Sequence, residues 1–258
     1  MDKHQESAAK DTVRHLLKDA SEQLQRNKLT YLGLPAEKAL DIKVLHPVLE
    51  NAICVADKRQ TLDETRRSIA MLRLKQRKFE CTDMWNYLIE SYPSEPLLAD
   101  VTYLDFYGGI KDTNPIAIEI QGLRSYFAKH ARYPNRAFVF AWFYNPRDDG
   151  KDVYIDTCEK IVPGSELQIL RRSTGVWLRT LAVRLILRQS LKEHGMTAMV
   201  YHHALYKKTM NTIILIYSKG DDPALRVQLT HPDCLLEAPV VKYEPGSPVP
   251  RLLPLPTV

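Results

Sequence analysis

Three aspartates in this chain each close a short strand-like run: Asp57 follows residues 52–56, Asp83 follows residues 78–82, and Asp105 follows residues 97–104. In an open α/β sheet the carboxyl ends of the strands face the ligand crevice, so a carboxylate placed there can bind a ligand or move a proton. Asp57 stands 24 positions after Gly33. At about that distance, the acidic residue of a nucleotide-binding strand–helix–strand unit takes the ribose hydroxyls, while the first turn lies near the other end of the ligand. Asp105 directly follows an apolar strand and leads into Tyr107, which makes it the candidate base, or the group that would hold a ligand's ammonium. Tyr107 could orient an acceptor or stack on a nucleobase. Asp57 and Asp83 also suit helix N-caps, a role compatible with ligand binding.

The elements that must hold these residues follow from apolar periodicity. Residues 29–32 read as a buried strand stopped by Gly33 and Pro35, and residues 39–49 as a helix bent or ended at Pro47. Residues 52–56 read as a strand covered on both faces. Thr61 and Glu64 have the pattern of a capping box for a helix to about Leu74. A short strand at 78–82 and a helix at 84–92 come next, then a strand at 97–104. Asn114 and Pro115 open a helix that puts Ile116, Ile120, Leu123 and Phe127 on one face. Residues 136–144, RAFVFAWFY, form the strongest strand signal, and residues 145–164 read as a loop or insertion. A long helix from 165 to 194, loosened near Gly175, precedes two strands at 197–206 and 211–217 whose short connection demands an antiparallel pair. The expected organisation is an N-terminal helix or arm (1–28), a main domain (29–220) and a proline-rich extension (221–258).

Composition narrows the function classes. The chain has 258 residues, 45% of them apolar, enough for one large core, and 26% charged residues of both signs with a net charge of +5. Cys54, Cys81, Cys158 and Cys234 form no C-x-x-C pair, which argues against a zinc ribbon or a disulfide framework and points to a reducing, cytoplasmic setting. Residues 1–28 carry no membrane-spanning or signal-type stretch. The adjacent His202 and His203 point to opposite faces of a strand and do not jointly hold a metal. Arg171, Arg172, Arg179, Arg184, Arg188 and Lys192 make the long helix basic. It either covers the sheet with its cations in solvent or offers a surface to nucleic-acid phosphates. Asp41 reads as part of a solvated helix face.

In order and placement, these elements resemble the class I S-adenosylmethionine-dependent methyltransferases. The resemblance implies an α/β, Rossmann-like, seven-stranded, mostly parallel sheet with helices on both faces and an antiparallel C-terminal hairpin. Tyr31, Gly33, Leu34 and Pro35 stand where that family has its glycine-rich loop, although the loop here reads G-L-P-A. Asp57, with Lys58, stands at the ribose position, Asp83 with Met84 at the adenine position, and Asp105 with Tyr107 at the motif near the transferred methyl group. The implied function is S-adenosylmethionine-dependent methyl transfer to an acceptor that is nucleic acid, protein or small molecule. The divergent first loop motivates an alternative, a module that keeps the fold and has lost turnover. The paired prolines of the amino-methylating nucleic-acid enzymes are absent after Asp105, so their substrate does not carry over.

Overall fold

The computed structural model describes residues 3–35, 38–105, 117–144, 151–206, 210–243 and 251–253. Its centre is a nine-stranded sheet in the order β3-β2-β1-β4-β5-β7-β6-β8-β9. Strands β1 (Leu29–Gly33), β2 (Leu49–Ala56), β3 (Gln76–Cys81), β4 (Val101–Asp105) and β5 (Ala137–Tyr144) pair in parallel. Strand β7 (Met210–Ser218) is antiparallel to β5 and to β6 (Thr197–Tyr206), as the short connection between β6 and β7 requires. The sheet exceeds the expected seven strands because part of the proline-rich extension joins it. Strand β8 (Val240–Tyr243) pairs in parallel with β6, and β9 (Arg251–Leu253) runs antiparallel beside β8.

Every residue of β5 is buried, which accounts for its unbroken apolar run. On one face Phe138, Phe140, Trp142 and Tyr144 pack with α4 (Met84–Asn86), α5 (Ile118–His130), α6 (Lys151–Glu159), α7 (Gly164–Arg172) and α8 (Gly175–Glu193). On the other, Ala137, Val139, Ala141 and Phe143 pack with α1 (Lys3–Glu22), α2 (Leu40–Leu45) and α3 (Arg59–Ser68). A short α9 (Cys234–Glu237) precedes β8.

Several local expectations change. Helix α2 ends at Leu45, and after a single tight turn through Pro47 the chain is already in β2 at Leu49. Thr61 lies inside α3, which opens at Lys58 without a side-chain cap, so the Thr61–Glu64 capping box does not start that helix. The segment read as a loop before Gly164 contains α6. The long helix breaks at Ser173 and Thr174 into α7 and α8, and Gly175, at φ 55°, opens α8. Asn114, Pro115 and Ile116 lie outside the described residues, whereas Ile120, Leu123 and Phe127 are buried along α5. Among the described residues, no helix is long and apolar enough to cross a membrane.

Candidate functional site

Strand order brings the sequence-predicted carboxylates onto one edge. Gly33 is level with Cys54 of β2 and Tyr103 of β4, and Ala56 is level with Cys81 of β3. Asp57, Asp83 and Asp105 therefore stand at or just beyond the carboxyl ends of β2, β3 and β4, with the first loop between them. Crossing β3-β2-β1-β4 at about 4.8 Å per strand gives an edge about 14 Å wide, enough for a nucleoside carrying an amino-acid tail.

The four positions differ in what already occupies them. Asp57 is exposed and makes no ion pair among the described residues, and Lys58 beside it is exposed at the start of α3. The Asp83 carboxylate accepts from the backbone N–H groups of Trp85 at 2.8 Å and Asn86 at 3.2 Å, so it is the N-cap of α4. Met84 is buried in the core with Trp85. At the first loop, Leu34 is half-buried and donates its N–H to the Tyr103 carbonyl at 3.4 Å, and Pro35 is buried. A side chain at Gly33 would run into the Tyr31 hydroxyl, and into the Tyr103 carbonyl at 2.7 Å. Glycine is required there because Tyr31 folds over its own strand.

Tyr31 is buried on the α1–α2 side, and its hydroxyl donates to the Asp41 carboxylate. Asp41, expected on a solvated helix face, is 4% exposed. Burial pushes its carboxyl above the ordinary range against the opposing pull of the Tyr31 hydrogen bond and the Arg14 charge. Burial also drives the Tyr31 hydroxyl well above its ordinary value, and the Asp41 charge adds to that.

Asp105 is paired with a group that the sequence did not bring into view. Lys10 of α1 donates to both of its oxygens, at 3.1 and 2.8 Å, and lies 5.0 Å from the centre of the Phe143 ring. With both oxygens engaged by an ammonium, Asp105 in this arrangement is an anchor for a cation. The available signal was the face of α1: Lys10, Val13, Arg14 and Leu17 fall on one helical stripe, and all four are buried. Tyr107 lies outside the described residues.

The basic helix turns Arg184 and Arg188 inward, while Arg171 and Arg172 are exposed. Arg184 is fully buried and donates to His203 Nδ1 at 2.8 Å and to the Ala238 carbonyl at 2.6 Å. Arg188 pairs with Glu166 and Asp233, Lys192 with Asp233, and Arg171 with Glu159. His203 is buried against Arg184, while His202 lies beside Tyr243, so the two imidazoles have separate surroundings. Among the described residues no group of His, Cys, Asp or Glu is placed to hold a metal ion.

The residues fit S-adenosylmethionine at its nucleoside half, where the Asp57 carboxylate is accessible and Leu34 and Asp83 border the same edge. At the amino-acid half, the carboxylate suited to the ligand's ammonium already holds Lys10. No protein-family model and no curated protein sequence matches the chain. Among solved structures, it is similar to an rRNA methylase from Streptococcus thermophilus at 11% identity, covering 80% of this chain and 96% of that one with a TM-score of 0.48. It is also similar to the O-methyltransferase from Bacillus cereus in complex with SAH, at 12% identity and 80% coverage of both chains with a TM-score of 0.46. By the order of its first seven strands, the antiparallel β7 and the helices on both faces, the chain has the Rossmann-like fold of the class I S-adenosylmethionine-dependent methyltransferases.

Proposed function

We propose that this chain binds S-adenosylmethionine across the carboxyl ends of β1–β4 and is a methyltransferase whose acceptor its site does not identify. The observation that carries the reading is the juxtaposition of Gly33, Asp57, Asp83 and Asp105 on one sheet edge. When bound, the cofactor would supply an electrophilic methyl group for an in-line displacement, in which alignment and exclusion of water contribute most of the rate. Asp57 would accept from the ribose hydroxyls. Leu34 and the Asp83–Met84 turn would border the nucleoside. Asp105 would hold the ligand's ammonium after exchanging it for Lys10, which leaves proton removal from an acceptor to another group.

The second reading, a module of the same fold without turnover, has its own support: Lys10 neutralises Asp105, and Tyr31 fills the space over Gly33. Calorimetric titration with S-adenosylmethionine and with S-adenosylhomocysteine separates the two. Micromolar binding is expected, weakened by about tenfold or more in Asp57→Ala, the scale of a lost charge-assisted hydrogen bond at about 1.5 kcal/mol. Absence of binding up to millimolar ligand by the folded protein would support the module reading. Unchanged affinity in a folded Asp57→Ala would remove the ribose role of Asp57.

A further inference from the structure

The positive charge of the chain is concentrated in one place. Residues 58–78 contain eight Lys and Arg against two Asp and Glu, a segment charge of +6, whereas the whole chain carries +5. The remaining residues are therefore close to neutral in sum. The segment consists of α3, the turn after it and β3, which is the outermost strand at that end of the sheet and has a partner only on its β2 side.

Two of the eight cations are satisfied within the fold. Arg66 pairs with Asp63 at 3.3 Å and lies flat on the Phe79 ring, 4.7 Å from its centre. Lys78 pairs with Glu80 at 3.0 Å and also with Glu95. The other six, Lys58, Arg59, Arg67, Arg73, Lys75 and Arg77, are exposed and make no ion pair among the described residues, and Arg67 and Arg77 also donate to the carbonyls of Asp63 and Leu72. Met71, at the turn between Arg67 and Arg73, is 93% exposed.

Charge on an edge strand has a simpler use, to prevent pairing with another chain. Arg77 and Lys78 suffice for that, and it does not account for the cations on α3 or in the turn. Six like charges on one side raise the energy of the folded chain unless an anion lies against them. The six-residue β3 is about 20 Å long, and a base-stacked nucleic-acid strand rises about 3.4 Å per phosphate along its helix axis, so such a strand laid along β3 would span about six phosphates. The stack of Arg66 on Phe79 adds a flat cationic surface to the same face.

We infer that the α3–β3 edge is a nucleic-acid-binding surface that contacts the phosphate backbone without reading sequence. It starts at Lys58, next to Asp57; α3 leads away from the edge assigned to the cofactor, and β3, parallel to β2, returns toward it. The inference stands on charge placement and does not depend on cofactor binding.

The test is fluorescence anisotropy of the full chain with a labelled single-stranded RNA of about 20 nucleotides, at salt between about 50 and 200 mM, the range over which phosphate contacts weaken steeply. The measurement is repeated with a variant carrying Arg67→Gln, Arg73→Gln, Lys75→Gln and Arg77→Gln. The unaltered chain is expected to bind at low salt. In the variant, affinity should fall at least tenfold, and the slope of log K against log salt should become shallower by about three, near 0.7 for each of four lost contacts. All four side chains are exposed, so the thermal unfolding midpoint should be unchanged, which separates lost contact from lost fold. A control variant with Arg171→Gln and Arg172→Gln should bind as the unaltered chain does. The inference is overturned by absence of binding at low salt, by equal affinity and slope in the fourfold variant, or by a polyglutamate peptide binding as tightly as the RNA, which would assign the edge to an acidic protein. Titration with S-adenosylhomocysteine reports the cofactor reading separately from all of these.

Discussion

Lys10 decides what Asp105 can do. The pair is mostly buried, with side chains 10% and 13% exposed, so the attraction is weakly screened and the pair rigidly joins α1 to the end of β4. A cofactor ammonium and the Lys10 ammonium would compete for the same two oxygens. Replacing Lys10 with Met keeps the length of the side chain and removes the competitor. Lys10→Met is expected to bind S-adenosylhomocysteine several-fold more tightly while losing about 1–3 kcal/mol of stability, less than the loss for a fully buried pair. Calorimetry and urea unfolding measure the two effects. Weaker binding in the variant would mean that α1 forms part of the ligand seat instead of obstructing it. Of this site, Asp57 and Asp105 were legible because a carboxylate directly after an apolar run is a local signal, and Asp83 because an aspartate between a strand and a helix suits the N-cap. Lys10 was not, because a lysine on an amphipathic helix looks solvated and its partner lies 95 positions away. Asp41 was missed for the same reason: its burial depends on Tyr31 pointing toward α2, which strand periodicity alone does not choose.

At the level of elements, the C-terminal extension is held by a side chain from α8. Arg184 spans from His203 on β6 to the carbonyls of Ala238 and Pro239, the two residues directly before β8. Burial lowers its guanidinium to about 10, so it remains charged at neutral pH, and its N–H groups bind two part-buried carbonyls at the entry to β8. Arg184→Met should leave those carbonyls unpaired and loosen the strand that follows them. Backbone amides of residues 240–243 are expected to exchange with deuterium faster in the variant, with a stability loss of about 2–4 kcal/mol from the abandoned acceptors. Unchanged exchange at β8 would show that pairing with β6 alone retains it. Strands β8 and β9 were not legible because they are only four and three residues long and lie among prolines, which belong to sheet edges as readily as to tails. Helix α6 was hidden by the polar residues around it. Of the parallel strands, β1, β2, β4 and β5 were legible because burial on both faces writes itself as an apolar run, and the β6–β7 pair because a short connection permits only one polarity.

Across the whole molecule, buried neutral imidazoles make the fold sensitive to acid. His130 accepts from the Tyr92 hydroxyl at Nε2, 2.7 Å away, and its Nδ1 lies 2.6 Å from the Tyr217 hydroxyl. Tyr217 donates to Tyr126 at 2.9 Å, and Tyr126 donates to Thr102 at 2.8 Å. The Ala99 N–H donates to Tyr92 at 3.1 Å. With the proton on Nδ1, every polar atom in this chain between α5, β4 and β7 has a partner, and a second ring proton would have to displace the Tyr92 hydroxyl hydrogen. Burial holds His130 and His203 well below the ordinary imidazole value, and it lowers His202 to about 4. The direction of the linkage follows. At pH 7 both folded and unfolded chains are largely neutral at these positions, but below about 6.5 the unfolded chain takes up protons that the folded chain excludes, so stability falls with pH. Each fully excluded proton contributes a slope approaching about 1.4 kcal/mol per pH unit, and His130 and His203 together should lower the free energy of unfolding by about 4 kcal/mol between pH 7 and pH 5. Asp41, whose carboxyl is raised by burial, works in the opposite sense, and Lys129, lowered to about 8 by burial, titrates above this window. Urea unfolding at pH 7 and pH 5 measures the total. His130→Phe should be less stable at pH 7, because the Tyr92 hydroxyl loses its acceptor, yet should lose about 2 kcal/mol less between the two pH values. An equal pH dependence in the variant would mean that the His130 imidazole takes up its second proton as readily in the folded chain as in the unfolded one, and with that its assignment as an excluded, neutral ring would fail.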